Sequence, residues 1–319
     1  MSRAALTGGG TASGALAIDA AGLRFQNPLV LAAGTAGYGR ELADVIDLAR
    51  LGGIVTKAVS LQPRHGAPSP RVAEFGGGMI NAIGLANPGL EEVRRVHLPW
   101  LAEHLPGTRV IVNVVGNAVE DYAAVVEGLD GSAGVDAYEL NVSCPNVKAG
   151  GLEFGADHCA LAEVVGRARA ATRRPVFVKL SPTLADIAGS ARTAVDAGAD
   201  GLTLVNTLPG LVVDVERRAP VLGFGSGGVS GAGLLPVGVL ATWKVRKAVT
   251  VPLIGVGGVS SATDLLQYVL AGASLVGIGT AAMQNPRLPE RILRDLARWC
   301  GDHGVRSIAE LVGQLEWPG

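Results

Sequence analysis

Short apolar runs alternate with longer segments of helical periodicity along most of this chain. An apolar run bounded by turn residues predicts a strand buried on both faces, and apolar positions three or four apart predict a helix. Strands are predicted at 29–33, 54–59, 109–115, 135–142, 175–180, 201–206, 251–256 and 274–279. Helices are predicted at 41–50, 89–104, 119–129, 157–172, 185–197, 232–248, 261–271 and 289–299. Eight strand–helix units indicate a parallel sheet and predict a (β/α)8 TIM barrel, with an open doubly wound sheet as the alternative.

The two ends of the chain and its two long connections fall outside this repeat. Residues 15–25 alternate apolar and polar positions and predict a short N-terminal β-hairpin before the barrel. Residues 1–14 are small and polar and are interpreted as a disordered leader, and residues 15–319 as one domain. The segments 60–88 and 207–231 are predicted as long loops. The second contains a Gly-x-Gly-x-x-Gly match at 223–228 that lacks the context of a dinucleotide site, so we interpret it as a mobile loop over the functional site.

Composition narrows the functional classes. The chain of 319 residues is 48% hydrophobic with a net charge of −1, which gives no electrostatic reason to expect nucleic acid or an anionic membrane as a partner. No apolar run reaches the roughly 20 residues that span a bilayer, and the N-terminus has no signal-peptide core. The three cysteines, Cys144, Cys159 and Cys300, show no paired spacing and predict no metal site. These features favour a cytoplasmic protein.

A closed barrel carries its functional residues at the carboxyl ends of its strands. Glycines end the predicted seventh and eighth strands at Gly257, Gly258 and Gly279, and Thr280 follows. Such glycines let backbone N–H groups approach an anion, so the pattern favours a phosphate site, although tight turns alone could require them. Lys57 and Lys179 lie within apolar strands, where an ammonium group needs a partner. That partner could be an anionic ligand or a structural carboxylate, and a Schiff-base role is a further alternative.

Amide side chains form the third signal. Five asparagines lie at or near strand ends or in an apolar loop, and amides can pair with both donors and acceptors of a planar heterocycle: Asn81, Asn113, Asn141, Asn146 and Asn206. Cys144 lies between Asn141 and Asn146, directly after the predicted fourth strand. A thiol in this position could transfer a proton to or from a polar substrate, or it could be a small buried hydrophobe.

The motifs together resemble the class 1 dihydroorotate dehydrogenases, over residues 16–315. The resemblance is carried by Asn141-Val142-Ser143-Cys144-Pro145-Asn146, 79–89, Val178-Lys179-Leu180-Ser181-Pro182, 227–231, Gly257-Gly258 and Gly279-Thr280-Ala281. Residues 62–71, followed by 81–85, are similar to the NAD-linked 1B type. The resemblance implies an FMN-binding barrel that oxidises (S)-dihydroorotate to orotate in pyrimidine (UMP) biosynthesis. It also implies a homodimer that can form a heterotetramer with an iron–sulfur subunit, and that partner would carry FAD and a 2Fe-2S cluster and pass electrons to NAD.

The resemblance also implies roles for single residues. Cys144 would be the base that removes the C5 proton while FMN takes the C6 hydride. Substrate would be held by Lys57, Asn81, Ala82, Ile83, Gly84, Leu85, Asn141, Asn146, Asn206 and Thr207. FMN would be held by Ala33, Lys57, Ala58, Asn113, Asn141, Lys179, Val205, Gly231, Gly257, Gly258, Gly279 and Thr280. No metal site is implied on this chain.

Three other functions remain open from the sequence. A related flavin barrel that reduces uracil or thymine shares the cysteine base. An aldolase-type lyase could use Lys57 or Lys179 as its Schiff-base lysine and bind a sugar phosphate at the last two strands. A barrel without catalytic activity could bind a nucleotide or serve as a scaffold.

Overall fold

In the computed structural model, which describes residues 12–143 and 153–318, the hairpin and barrel strands occur in the predicted order. The antiparallel hairpin consists of β1 (Ile18–Ala20) and β2 (Leu23–Phe25). Eight parallel strands follow and close into a barrel, with the last strand pairing back to the first. They are β3 (Leu29–Leu31), β4 (Gly53–Val55), β7 (Arg109–Val114), β8 (Ala137–Asn141), β9 (Val176–Leu180), β10 (Gly201–Leu204), β15 (Leu253–Val256) and β16 (Leu275–Ile278). The predicted (β/α)8 barrel is therefore confirmed, as is the N-terminal hairpin.

Helices surround the barrel and cover the outer side of its strands. They are α1 (Ala12–Ala15), α2 (Leu90–Glu92), α3 (Leu98–His104), α4 (Val119–Asp130), α5 (His158–Ala170), α6 (Ile187–Asp196), α7 (Leu235–Arg246), α8 (Ala262–Ala271), α9 (Thr280–Gln284) and α10 (Leu288–Asp302). A π-helical turn at Val93–His97 joins α2 to α3, and 3-10 turns lie at Leu48–Arg50, Phe154–Ala156, Ala232–Leu234 and Ile308–Leu311. Because the strands are buried from both sides, they read in the sequence as continuous apolar runs.

A second, antiparallel sheet lies over the cavity at the carboxyl ends of the barrel strands. It has the order β11 (Leu208–Gly210), β14 (Gly227–Ser230), β6 (Gly78–Asn81) and β5 (Val72–Phe75), and we call it the lid sheet. A small hairpin of β12 (Val213–Asp214) and β13 (Ala219–Pro220) extends the same excursion. The two long segments predicted as loops therefore pair with each other, and the glycine-rich stretch interpreted as a mobile loop contributes strand β14.

One further segment, residues 41–50, differs from the helix predicted there. Residues 41–50 are turns that end in a 3-10 helix, because Ile46 and Leu48 are both buried while Asp47 between them is exposed. Such alternation does not fit one face of an α-helix.

Residues 1–11 lie outside the described residues, while 12–15 form α1 beside α10, so the leader over 1–14 stays a prediction.

The described residues set two limits on function. In the two ranges that the structure describes, no helix combines the length and apolarity needed to cross a bilayer. The same residues contain no cluster of three or more His, Cys, Asp or Glu side chains suited to a metal ion.

Candidate active site

A cavity of about 610 Å³ lies between the carboxyl ends of the barrel strands and the lid sheet. It brings together most of the residues that the sequence singled out. The lining includes Ala33, Lys57, Ala58, Asn81, Ile83, Leu85, Asn113, Asn141, Lys179, Val205, Asn206, Thr207, Gly231, Gly257, Gly258, Gly279 and Thr280. Ala82 and Gly84 do not line it, because a side chain at Gly84 would point into the backbone at Ala67 and the Ala82 N–H donates to Arg71 O. Cys144 and Asn146 lie outside the described residues.

The two lysines reach the cavity from β9 and from the end of β4. Lys179 is only 7% exposed, and Lys57 is held through its backbone N–H, which donates to Gly37 O at 2.7 Å. Among the described residues, neither ammonium group forms an ion pair or a hydrogen bond with another side chain. The structural carboxylate considered as their partner is therefore not found in that part of the chain. Two ammonium groups in one cavity, neither paired with a described side chain, favour a ligand that carries negative charge or strong acceptors.

A buried acid joins three barrel strands beneath these lysines. Glu139 on β8 is 1% exposed, and each of its carboxylate oxygens accepts one hydrogen bond. Asn113 Nδ2 on β7 donates to Oε1 at 2.7 Å, and Thr203 Oγ1 on β10 donates to Oε2 at 2.7 Å. Sequence reasoning missed Glu139 and Thr203. The signal was available, since Glu139 is a charged residue in an apolar strand two positions before Asn141, on the same side of the strand.

The ends of β8 and β10 are joined by their asparagines. Asn206 Nδ2 donates to Asn141 Oδ1 at 3.2 Å, and Asn206 Oδ1 accepts from the backbone N–H of Thr207 at 2.9 Å. Asn141 Oδ1 also accepts from Ser143 N, and the Tyr122 hydroxyl donates to Asn141 O at 2.9 Å. These bonds fix the Asn141 amide with its oxygen towards the protein. Its Nδ2 forms no hydrogen bond with a described residue and so remains a donor for a ligand.

The glycine turn after β15 is shaped by a buried tyrosine. A side chain at Gly238 or Gly255 would overlap the Tyr268 ring, which therefore lies against bare backbone. The Tyr268 hydroxyl donates to Gly257 O at 2.8 Å, and burial, followed by the charge of Asp264, raises the pKa of this phenol well above its usual range. The phenol thus stays protonated and remains a donor that holds the turn in place.

The same turn packs closely against the backbone at the start of α7. Gly257 and Gly258 have positive φ angles of 129° and 72°, and a side chain at Gly258 would meet Leu235 N and Ala232 O. Ser261 caps α8, as its Oγ accepts from Asp264 N at 3.1 Å. Gly279 precedes α9, and Thr280 Oγ1 donates to Ser230 Oγ at 2.8 Å, which ties the end of β16 to the lid sheet. The glycine turn after β15 and the glycine at the end of β16 both suit a site that a phosphate group approaches through backbone N–H groups.

The lid supplies apolar lining that sequence reasoning did not select. Val72, Phe75 and Met79 of the lid sheet line the cavity, together with Val256 and Met283 of the barrel rim. Their positions depend on the pairing of β6 with β14, which joins Asn81 to Gly228 across 147 positions of sequence. Local periodicity carries no signal for such a pairing. The cavity consequently has one polar, charged floor and one apolar cover, as expected for a flat ring system with polar edges.

Fold and site define a (β/α)8 barrel with a cavity lined by lysines, amides and glycines at the carboxyl ends of its strands. Residues 15–299 match the dihydroorotate dehydrogenase family, and the chain belongs to this family.

Its relatives identify the type within that family. The chain is 46% identical to a protein named dihydroorotate dehydrogenase B (NAD(+)), catalytic subunit, from Pelobacter propionicus, over 94% of this chain and 98% of the relative. It is 48% identical to the protein of that name from Desulforudis audaxviator, over 93% of this chain and 96% of the relative. The resemblance to the 1B type is thereby confirmed, as is the assignment to the dihydroorotate dehydrogenases.

Proposed function

We propose that this chain oxidises (S)-dihydroorotate to orotate with FMN as its resident cofactor, in the pathway that makes UMP. The observation that carries the proposal is the buried ammonium group of Lys179, which has no partner among the described residues and lies beside the amides of Asn113 and Asn141 in one cavity. An ammonium group and outward-facing amide atoms fit a flat heterocycle with ring carbonyl and N–H groups. When bound, FMN would accept the hydride from C6 of the substrate.

The residues of the cavity divide between cofactor and substrate in this proposal. FMN would be held by Ala33, Lys57, Ala58, Asn113, Asn141, Lys179, Val205 and Gly231, with its phosphate at Gly257, Gly258, Gly279 and Thr280. The apolar cover from β5 and β6 would exclude water from the ring, which strengthens the polar contacts beneath it. Substrate would be bound by Lys57, Asn81, Ile83, Leu85, Asn141, Asn206 and Thr207. Its carboxylate is a suitable partner for the Lys57 ammonium group.

Cys144 is the proposed base, on the strength of the family motif in which it stands. Its thiolate would take the C5 proton of dihydroorotate, and Asn146 would help to orient the pyrimidine ring. The described part of this segment ends at Ser143, whose backbone N–H donates to Asn141 Oδ1 at 3.3 Å. The Ser143 backbone is thus fixed beside Asn141, and a base benefits from such a fixed attachment next to a substrate site.

The electron acceptor is proposed from the relatives, which are named NAD(+)-linked catalytic subunits. We propose that the chain forms a homodimer in the cytoplasm and associates with a second subunit carrying FAD and a 2Fe-2S cluster. Electrons would pass through this partner to NAD. Since the only dinucleotide-like match in the sequence, at 223–228, ends within lid strand β14 instead of opening a helix, we expect no NAD reduction by the chain alone.

An anaerobic absorbance experiment tests the flavin and the substrate together. Purified chain reconstituted with FMN should show the oxidised flavin bands, and these bands should bleach when dihydroorotate is added. Dihydrouracil and dihydrothymine should leave them unchanged, because neither has a carboxylate for Lys57. A chain that binds no FMN would contradict the cofactor, and bleaching by dihydrouracil alone would support the uracil- or thymine-reducing alternative. If borohydride trapped a substrate covalently on Lys57 or Lys179, the lyase would be supported instead.

A matched pair of cysteine variants tests the base. Cys144→Ala should keep FMN bound and lose at least about a hundredfold in the rate of bleaching by dihydroorotate, as expected for loss of a general base. Cys159→Ala changes an exposed cysteine on α5 and should leave that rate unchanged. Undiminished bleaching by Cys144→Ala would refute the assigned base.

A further inference from the structure

The Glu139 carboxylate has no role in the function proposed above, yet it is among the most deeply buried charged groups of the described residues. Its two hydrogen bonds come from neutral donors, Asn113 and Thr203, and no described cation pairs with it. Placing a carboxylate in a barrel interior without an ion partner is costly, and well-packed apolar side chains would stabilise the fold better. Such an arrangement suggests that the charge and its hydrogen bonds serve the cavity.

The first effect of Glu139 is on the Asn113 amide. A carboxylate only accepts hydrogen bonds, so the amide must present Nδ2 to it. The Asn113 oxygen then points the other way and has no partner among the described residues. Among the described residues, a side-chain polar atom that is fully buried and has no partner occurs once, at Ser143 Oγ. The Asn113 oxygen has no described partner either, so it must be in part accessible. Asn113 lines the cavity, so Glu139 makes it an acceptor there, ready for a ring N–H group.

The second effect is electrostatic. In the β8–β9 register Asn141 pairs with Lys179, and Glu139 lies two positions before Asn141. In the β9–β10 register Lys179 pairs with Thr203, which itself donates to Glu139. The negative charge therefore lies on β8, next to the strand of Lys179, and is hydrogen-bonded to β10 on the other side, without forming an ion pair with Lys179. A charge in this position opposes the addition of negative charge to a ligand in the cavity, and Lys179 favours it.

We propose that Glu139 is a positioning residue that fixes Asn113 as an acceptor and tunes how strongly the site prefers oxidised over reduced flavin. The proposal rests on FMN being the cofactor. The negative charge of Glu139 would weaken binding of the electron-rich reduced form, so electrons would leave the site more readily. The residue acts through Asn113 and through its charge, and it needs no contact with the cofactor.

The test measures the dissociation constants of oxidised and reduced FMN for the apoprotein, with the melting temperature as a check on folding. Glu139→Gln keeps the shape but removes the charge. We expect the variant to shift the affinity ratio towards reduced FMN by on the order of tenfold, which corresponds to about 30 mV in a two-electron potential. Thr203→Val is the matched control, since it removes one hydrogen bond and leaves the charge. Its ratio should stay within about threefold of the wild type, the smaller effect expected for a neutral bond.

A double variant returns the charge to the same network. When Asn113→Asp is combined with Glu139→Gln, the new amide at position 139 can donate to the new carboxylate at position 113 and still accept from Thr203. The second oxygen of that carboxylate then faces the cavity. The affinity ratio should return to the wild-type value or move beyond it, towards oxidised FMN. If Glu139→Gln does not fold, Glu139→Met combined with Thr203→Val removes the charge with an apolar pair instead. Its affinity ratio is then compared with that of Thr203→Val alone, and equal ratios would overturn the electrostatic role.

The outcomes separate this inference from the proposed function. If the wild-type chain binds no FMN, the proposed function fails and this inference fails with it. If the wild type binds FMN and folded Glu139→Gln keeps its affinity ratio, only the positioning role is overturned. A shift in Thr203→Val as large as that in Glu139→Gln would also overturn it, since the effect would then follow from disturbing the network and not from the charge.

Discussion

Asn206 Nδ2 donates to Asn141 Oδ1 at 3.2 Å, which links the ends of β10 and β8 across β9 in the wall of the cavity. The bond fixes both amides at once, because Asn206 Oδ1 is also occupied by Thr207 N at 2.9 Å. Neither side chain can then rotate without loss of a partner. The two residues therefore offer a ligand a fixed direction for each remaining donor, which is what recognition of a planar ring requires.

Asn206→Ala should accordingly weaken substrate binding more than it weakens the fold. It removes one ligand contact and frees the Asn141 amide, so we expect KM for dihydroorotate to rise by about tenfold, the size of one well-aligned hydrogen bond. Steady-state kinetics with a dye acceptor measures this. Asn117→Ala is the matched control, because Asn117 accepts from Arg64 NH2 and does not line the cavity. An equal rise in KM for both variants would show that Asn206 has no specific role.

Lys179→Met should affect stability and binding in opposite directions. The buried ammonium group has no described partner, so its replacement by an apolar side chain of similar length should stabilise the apoprotein by about 1 kcal/mol or more. The same change removes a cation from the cavity and should weaken FMN binding by at least about tenfold, as expected for a charge-assisted contact. Thermal melting without cofactor and fluorescence titration with FMN measure the two effects.

The control for this change is a lysine outside the cavity. Lys247 lies over the Trp243 ring, with its Nζ 4.1 Å from the ring centroid. Lys247→Met should leave FMN affinity unchanged. Apoprotein that melts at a lower temperature after Lys179→Met would indicate that the lysine has a structural partner, in contradiction to the assignment.

The sequence predicted those parts of the site that lie within local patterns. The barrel follows from apolar runs separated by helices, and Lys179 and Asn113 stand out because polar side chains are unusual in such runs. Glu139 lies in a predicted strand that also contains Asp136, so its charge does not distinguish it there as a residue of the site. Its partner Thr203 is 64 residues away, so only the closed barrel brings the two together.

The lid sheet was beyond prediction for a related reason. β6 and β14 come from two excursions separated by four of the eight barrel strands, and glycines at Gly227 and Gly228 hide the strand character of the second. A glycine-rich stretch usually predicts a loop. Here the missing side chains let β14 approach its neighbours, since a Cβ at Gly227 would meet Asn81 O and one at Gly228 would meet Thr207.

The histidine at the end of the π-helical turn gives a pH dependence to stability. His97 stacks on Tyr38 with ring centroids 4.2 Å apart, and burial lowers its pKa below the usual 6.5, against the opposing charges of Glu41 and Glu92. The unfolded chain then binds a proton at higher pH than the folded chain does. The stability that His97 contributes as a neutral ring is therefore present above about pH 6.5 and is lost as pH falls towards the lowered pKa.

His97→Gln should flatten this part of the pH profile. Urea unfolding at pH values from about 7.5 to 5 should show a smaller loss of stability in the variant than in the wild type. His104→Gln is a suitable comparison, because His104 also stacks on an aromatic ring, that of Trp100, yet is more exposed. Parallel profiles for the wild type and His97→Gln would mean that the histidine does not contribute to the acid sensitivity.

We expect closure of the cavity to depend on the tight pairing of β6 with β14. A substitution that adds one methyl group between these strands tests this dependence. A Cβ at Gly78 would overlap the Ser230 carbonyl on the neighbouring strand, so Gly78→Ala should force the two strands apart. We expect faster amide hydrogen exchange in β6 and β14, a loss of about 1–3 kcal/mol from overpacking, and weaker FMN binding. Gly76→Ala, two residues earlier, places its methyl group in open space and should change none of these quantities. Equal exchange rates in the two variants would show that this contact does not hold the lid sheet together.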